Sequence, residues 1–462
     1  MSHAKVVILG AGPTGLGAAE ALEAAGADWL LLEAADHPGG LASSFVDEAG
    51  FTWDLGGHVQ FSHYEAFDRL MDRALGEDGW LTHERESWVR MRDRWVPYPF
   101  QYNLHRLDPE DRDRCLRGLE AAPGSAAEPE NFGEWIDATF GEGVAELFMR
   151  PYNFKVWAFP PEEMDHHWIG DRVAVPDLEK AREAVRTGED RKSWGPNATF
   201  RFPRRGGTGA VWEAVSGLLP TERQHYGREA VHIDVGKKEV RTRDGEVVTF
   251  DHLISTVPLN RLIGLCPGVV ASEKGAELKF SSTHVVGIGM KGRPPAHLEG
   301  KCWMYFPEGN SPYYRVTVFS HYSPENVPEP GRQWSLMTET AESGVKPVDA
   351  GRVTGDTVAA LREDGLIPEG TEILSRTHRF LPQGYPTPFL GRDAVVDPLL
   401  RAFEAREVYS RGRFGAWKYE VANQDHSHAM GRECARRILT GGGEECEPTL
   451  HRPVWVNSRR NP

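Results

Sequence analysis

With 462 residues, 40% hydrophobic and 26% charged, the chain has an ordinary globular composition and is too long for one small core, so more than one domain is expected. Its formal net charge of −15 argues against a nucleic-acid or anionic-membrane partner; an anionic ligand would need a local arginine cluster working against the global field. The five cysteines (Cys115, Cys266, Cys302, Cys434, Cys446) are odd in number with no CxxC pair, which points to reduced thiols in a cytoplasmic setting, and no apolar stretch approaches the roughly 18 residues of a membrane span.

The first element is a strand-like run, Val6 to Leu9, that feeds into Gly10-Ala11-Gly12-Pro13-Thr14-Gly15 and an Ala-rich helical stretch. A second apolar run, Trp29 to Leu32, ends on Glu33, and Gly39-Gly40 and Gly56-Gly57-His58 follow. Gly10 allows the tight turn, Gly12 lets the backbone approach a pyrophosphate, and Gly15 lets helix and strand pack closely. The pyrophosphate then meets the positive end of the helix, and Glu33 is placed to accept hydrogen bonds from ribose hydroxyls. Lys5 before an apolar run superficially mimics a signal peptide, but the glycine fingerprint accounts for that run better.

A helix is expected from Tyr64 to Leu75, then a hairpin of Glu86 to Arg92 and Arg94 to Tyr98 turning at Asp93. Spacing of three to four residues predicts helices over Leu107 to Leu119, Phe132 to Phe140, Val144 to Phe148 and Asp177 to Arg186, with a loop from Ala121 to Glu130. Strand signals take over at Val231 to Val235 and Glu239 to Thr242, a hairpin, and continue through Val247 to Phe250 and His252 to Thr256. Alternation at Thr283 to Met290, Trp303 to Phe306, Tyr314 to Phe319, Trp334 to Thr338 and Ile373 to Arg379 predicts an antiparallel sheet with one buried face. A last glycine motif, Gly412 to Gly415, precedes a helix around His428 to Leu439. His166-His167 beside Asp165 is the one hint of a metal site, but without HExxH-type spacing it reads as an exposed turn, and no metal is expected.

Three segments are too rich in aromatic, amide and arginine side chains for casual core: Trp95 to Asn103, Phe148 to Trp157 and Arg411 to His426. Flat aromatic faces with bidentate amides suit a nucleobase, although aromatic stripes are more often core. Arg315, the one charge in the run Tyr313 to Ser320, points to a buried anionic partner or to a cross-strand pair.

Glu33 followed by Gly39-Gly40 resembles the FAD pattern of glutathione-reductase and amine-oxidase flavoproteins. With Gly56 to Tyr64, Gly195 to Phe200, Arg204 to Gly209, Ser281 to Val285 and Gly384 to Pro388 in the same order, the chain from Val6 to about Arg459 resembles the UDP-galactopyranose mutase family, more its eukaryotic type than the common bacterial one. That resemblance implies an α/β fold: a Rossmann-like FAD-binding domain of the amine-oxidase type (1–82, 203–265 and 406–462), an inserted helical bundle that binds substrate with mobile flaps (104–202), and an antiparallel sheet domain (83–103 and 266–405). It implies interconversion of UDP-galactopyranose and UDP-galactofuranose without net redox, with N5 of reduced FAD as nucleophile at the anomeric carbon and UDP as leaving group. A related mutase for another UDP-sugar, or an amine-oxidase-like oxidoreductase, is the alternative.

Carried onto this sequence, Tyr98 would stack on uracil with Phe100, Gln101, Phe148, Asn153 and Trp157 around it. Arg315, Tyr305, Tyr385 and Tyr419 would hold the diphosphate, and Arg172 and Asn197 would lie on loops that close over the sugar. His58, beside Gly57, would face the flavin N5 edge, while Val231, Arg413, Asn423 and Gln424 would touch the cofactor. Gln424, near a helix start, could otherwise be a capping residue. Arg85 and Ser87, with Tyr98, match positions that bind NADPH, the expected reductant. The short segment Ser323 to Gln333 leaves the oligomeric state open.

Overall fold

The computed structural model describes residues 2–122, 128–192 and 198–462. The first sheet forms around the strand Ser2–Leu9, whose Val6 to Leu9 segment is buried on both faces, as parallel strands between helical layers require. Its strand order is Ala230–Asp234, Glu239–Thr242, Val247–Ser255, Ser2–Leu9, Trp29–Leu32, Gln224–His225. The runs Val247 to Phe250 and His252 to Thr256, expected as two strands, are one. Ser2–Leu9 runs alongside the whole length on one edge, while on the other edge the neighbour changes at Asp251 from Glu239–Thr242, antiparallel, to Val408–Ser410, parallel.

Helix Pro13–Ala24 starts with proline in its first turn, where a missing N–H costs nothing. It packs against the late helix Gln424–Thr440 through small residues: a Cβ on Gly431 would lie 1.9 Å from the Thr14 carbonyl oxygen, and one on Gly17 2.4 Å from that of His428. The C-terminal quarter of the chain thus closes the layer that the first strand opens.

The second sheet runs Ile373–Pro386, Phe280–Lys291, Gln333–Glu342, Arg315–Val318, Trp303–Tyr305, Ser87–Met91, Arg94–Pro97, antiparallel except where Trp303–Tyr305 meets Ser87–Met91. Its register sets Arg315 opposite Tyr305 on one side and Glu339 on the other. The run Tyr314 to Phe319 is strand only over Arg315–Val318, because Phe319–Tyr322 turns into a short helix. Among the helices not expected are Gly209–Gly217, Leu259–Leu265, Val353–Glu363 and Arg392–Glu404; in the last, Pro398 interrupts an otherwise regular apolar spacing.

In the helical region Pro109–Ala121 crosses Phe132–Val144 closely, and Gly141 leaves helical geometry with φ +65°. The expected helix Val144 to Phe148 is instead a π-helical stretch, Ala145–Met149, running into Arg150–Trp157. Such over-wide turns are frequent at functional sites, and this one turns Phe148, Asn153 and Trp157 toward one cavity. Among the described residues no helix is long and apolar enough to cross a membrane.

Candidate active site

A cavity of about 610 Å³ runs between the two sheets from the glycine turn to the helical region, within the usual range for small-molecule sites. At one end its wall is mostly backbone. Gly10 has φ +102°, and a Cβ there would lie 2.0 Å from Thr256 Oγ1. Gly12 caps the helix, and Gly40, with φ +55°, lies beside it, where a Cβ would be in ordinary contact with Gly12 Cα at 3.5 Å. Gly15 and Gly39 shape this cradle from outside the wall: a Cβ on Gly15 would lie 1.8 Å from the Gly10 carbonyl oxygen, and the Gly39 N–H donates to the Ala11 carbonyl at 2.9 Å. The Glu33 carboxylate, on the wall, accepts from the Ala11 N–H at 2.6 Å and the Ala35 N–H at 2.7 Å. Val231 is half-buried on the strand Ala230–Asp234 and does not reach the cavity wall.

In the middle stand Gly56, Gly57 and His58. His58 is half-buried on the cavity wall, and its buried Nδ1 has no hydrogen-bond partner among the described residues. Burial, reinforced by the nearby Arg413 charge, pushes its pKa down to about 4, so the ring is neutral at physiological pH. Arg413 donates Nε and Nη2 to the Gly384 carbonyl at 3.2 and 3.0 Å, and its guanidinium lies 4.7 Å from the Tyr385 ring centroid. Asn423 is the N-cap of helix Gln424–Thr440, without a side-chain capping bond. The Gln424 Oε1 is already taken by Gln60 Nε2 at 3.0 Å and Trp212 Nε1 at 2.6 Å, so what this residue turns to the cavity is the start of a helix.

The far end is built from side chains. Tyr98, Tyr152 and Tyr305 meet edge to face, with centroids 5.5 Å apart for Tyr98–Tyr305 and 5.1 Å for Tyr152–Tyr305. Trp157, Tyr385 and Tyr419 form a second group, at 4.7 Å for Trp157–Tyr419 and 5.6 Å for Tyr385–Tyr419. Phe148 is on the wall, but Phe100 is fully buried and stacks on it at 4.9 Å without reaching the cavity. Gln101 also stays off the wall; its Nε2 donates to the Ala174 carbonyl, and Tyr102 donates to the Val175 carbonyl at 2.7 Å, so together they hold the chain just after Arg172. Asn153 is on the wall and donates to the Met149 carbonyl at 2.7 Å. Asn197 lies outside the described residues.

Arg172, at the end of the turn Gly170–Arg172, donates Nη2 to the Glu420 carbonyl at 2.7 Å and lies 5.7 Å from the Tyr419 ring centroid. Glu420 is itself fixed by a buried two-bond pair with Arg392, at 2.7 and 2.6 Å. Arg315 meets a carboxylate the sequence reading missed, donating Nε and Nη2 to Glu339 at 2.8 and 2.7 Å. Burial opposes both charges, and the pair overcomes it: Arg315 is held well above its ordinary pKa and Glu339 below the usual carboxylate range. The signal that could have found Glu339 is that it is the lone charge between Trp334 and Ala341, as Arg315 is in its own strand. Tyr152, Trp303 and Tyr314 on the wall were likewise given no role.

Arg85 donates Nε to Ser87 Oγ at 3.1 Å and lies 5.6 Å from the Tyr98 centroid and 5.1 Å from that of Trp303, at the cavity edge. His166 and His167 stack at 4.2 Å, with His167 bonded to Asp165 at 2.6 Å on the surface. A tighter cluster is His63, Asp425 and His426, whose ligand atoms lie within 4.8 Å of one another. His63 and the Asp425 carboxylate are bonded directly at 2.8 Å.

The left-handed glycine turn, the helix start behind it, the fixed carboxylate of Glu33 and a second helix start at Gln424 are a donor set that suits a flavin dinucleotide. A family model described as "Flavin containing amine oxidoreductase" matches residues 13–361. The chain is similar to a crystal structure of reduced UDP-galactopyranose mutase, with 48% identity, TM-score 0.95, and 99% of this chain and 98% of that one covered. A putative protoporphyrinogen oxidase from Exiguobacterium sp. 255-15 shares the fold at 17% identity and TM-score 0.71, covering 96% and 100% of the two chains. A CLA-producing fatty acid isomerase from P. acnes does so at 15% identity and TM-score 0.60, covering 94% and 99%. The chain thus belongs to the UDP-galactopyranose mutase family, within the flavin-containing amine oxidoreductases.

Proposed function

We propose that the protein is an isomerase that interconverts UDP-galactopyranose and UDP-galactofuranose with FAD held in its reduced state and no net redox change. The observation that carries this reading is the cavity itself, which joins a dinucleotide cradle to a cluster of Arg172, Arg315, Tyr305, Tyr385 and Tyr419. An oxidase pocket for an apolar amine has no use for two guanidiniums and three phenols at its far end. The FAD unit would be 1–82, 203–265 and 406–462, with Gly10, Gly12, Gly40, Glu33, Gly57, Arg413, Asn423 and Gln424 around the cofactor. Reduced flavin supplies an electron-rich nitrogen that can act as a nucleophile toward an anomeric carbon.

The chain's own residues do the rest. Tyr98, Phe148, Asn153 and Trp157 take the uracil, while Phe100 and Gln101 support them from behind. Arg315 and the tyrosine hydroxyls hold the diphosphate in place when it is expelled, so that it can return to the rearranged sugar. Arg172, poised on Tyr419 and the Glu420 carbonyl, closes over the sugar phosphate with Asn197 and excludes water. His58, neutral, adds no further cation to Arg413 and Arg315 beside the reacting face. Arg85 and Ser87, beside Tyr98, receive NADPH as reductant, and the five unpaired cysteines suit a reducing, cytoplasmic compartment.

The test is turnover of UDP-galactofuranose by dithionite-reduced protein, with UDP-galactopyranose followed by chromatography. No product with reduced protein, or equal product with oxidised protein, sinks the proposal. Arg315→Ala should lower kcat/KM by about a hundredfold or more, and unchanged activity would remove the diphosphate assignment.

A further inference from the structure

Glu339 is nearly fully buried, and its carboxylate accepts four hydrogen bonds. Oε1 accepts from Arg315 Nε at 2.8 Å and from the Gly57 N–H at 2.9 Å, and Oε2 accepts from Arg315 Nη2 and from the Tyr314 hydroxyl, both at 2.7 Å. Antiparallel register places Arg315 and Glu339 directly opposite each other, so the geometry is built into the sheet. Two of the three guanidinium nitrogens, Nε and Nη2, are thereby engaged by Glu339, on a residue that lines the cavity. The other end of the network reaches the turn beside His58: a Cβ on Gly57 would lie 3.2 Å from Glu339 Oε1 and 3.4 Å from Arg315 Cζ.

A buried ion pair of this kind is weak support for a fold, since two well-packed apolar side chains commonly serve stability as well or better. Its position on the cavity wall gives it another use. An anion that arrives at Arg315 meets a cation already half compensated, and it is bound less tightly than by a bare guanidinium. We infer that Glu339 is a positioning residue that moderates the hold of Arg315 on an anionic leaving group and ties that hold to the backbone turn at Gly57. This rests on the proposed reading of Arg315 as the diphosphate contact.

The experiment uses the flavin-loaded protein, wild type and Glu339→Gln, with UDP as the probe. Titration by tryptophan fluorescence should show Glu339→Gln binding UDP about tenfold more tightly. KM for UDP-galactofuranose should fall, and kcat should fall with it because the product, held through the same diphosphate, is released more slowly. The rise in melting temperature at saturating UDP should also be larger than in wild type, because UDP then compensates the bared Arg315. Weaker or unchanged UDP affinity with an unchanged melting-temperature gain overturns the inference, whatever the drop in basal stability. If Glu339→Gln does not retain flavin, Glu339→Asp decides. It keeps the charge on a shorter arm and should leave UDP affinity within about twofold while altering kcat and the flavin absorbance; a wild-type kcat and spectrum overturn the inference. A wild-type protein that binds no UDP overturns the proposed function together with this inference, whereas wild-type binding beside an unchanged Glu339→Gln overturns this inference alone.

Discussion

The two ends of the cavity are made in opposite ways. The cradle depends on side chains that are missing at Gly10 and Gly15: a methyl group there would overlap neighbouring atoms at 2.0 or 1.8 Å. The far end is made of large side chains from five separated segments, at Tyr98, Phe148 to Trp157, Tyr305, Tyr385 and Tyr419. Backbone cannot relax as rings can, so the first end should be intolerant of one carbon atom and the second should degrade by degrees.

The sharpest way to break that contrast is Gly15→Ala. The new Cβ would collide with the Gly10 carbonyl, at an expected cost of about 3 kcal/mol or more and with loss of flavin on purification, read from the visible absorbance. A flavin-loaded, stable variant would show that the cradle yields. His58, between the ends, should contribute a pH dependence. Its folded pKa of about 4 lies below the ordinary 6.5, so the folded state binds that proton less well than the unfolded chain. Stability from this group is complete above about pH 6.5 and falls by up to about 3 kcal/mol as the pH drops through 4. His428, pushed to about 3 by burial, acts in the same direction, so denaturation midpoints of His58→Gln should fall less steeply with acid than wild type rather than not at all. At the side-chain end Tyr98→Ala should weaken UDP binding by about 1–3 kcal/mol, whereas Tyr98→Phe keeps the ring and most of the affinity. The smallest effect belongs to Phe100→Leu, which should cost about 1 kcal/mol in stability and leave UDP affinity unchanged, since Phe100 supports Phe148 without facing the ligand. A matching loss of UDP affinity would put Phe100 on the binding surface.

This division also decides what was legible in the chain. A cradle built from local turns writes its requirements into consecutive residues: Gly10, Gly12 and Glu33 line the cavity, and Gly15 packs against the Gly10 carbonyl. Strands and helices with regular spacing were likewise readable, but Arg392–Glu404 was masked by Pro398, and the π-helical turn at Ala145–Met149 has no signature apart from its neighbour Gly141. Arg315 announced a buried anion, yet the carboxylate that meets it stands 24 residues away and depends on strand register, which no local pattern reveals. The same holds for Gln424, whose amide oxygen is claimed by Gln60 and Trp212 from distant segments, and for Phe100 and Gln101, which share a motif with Tyr98 but sit behind the wall.

The packing of helix Gln424–Thr440 on helix Pro13–Ala24 bears on how the protein comes to hold its ligand during synthesis. The glycine turn is synthesised roughly 400 residues before the strand Val408–Ser410, Arg413 and the helix start at Gln424 that complete its surroundings. Cofactor capture then waits for these later segments, and nascent chains halted before Gly412 should retain no flavin while chains that have emerged beyond helix Gln424–Thr440 do. While those residues are made, the apolar strand Ser2–Leu9 waits for its final layer, a window in which cofactor supply and chaperones govern yield.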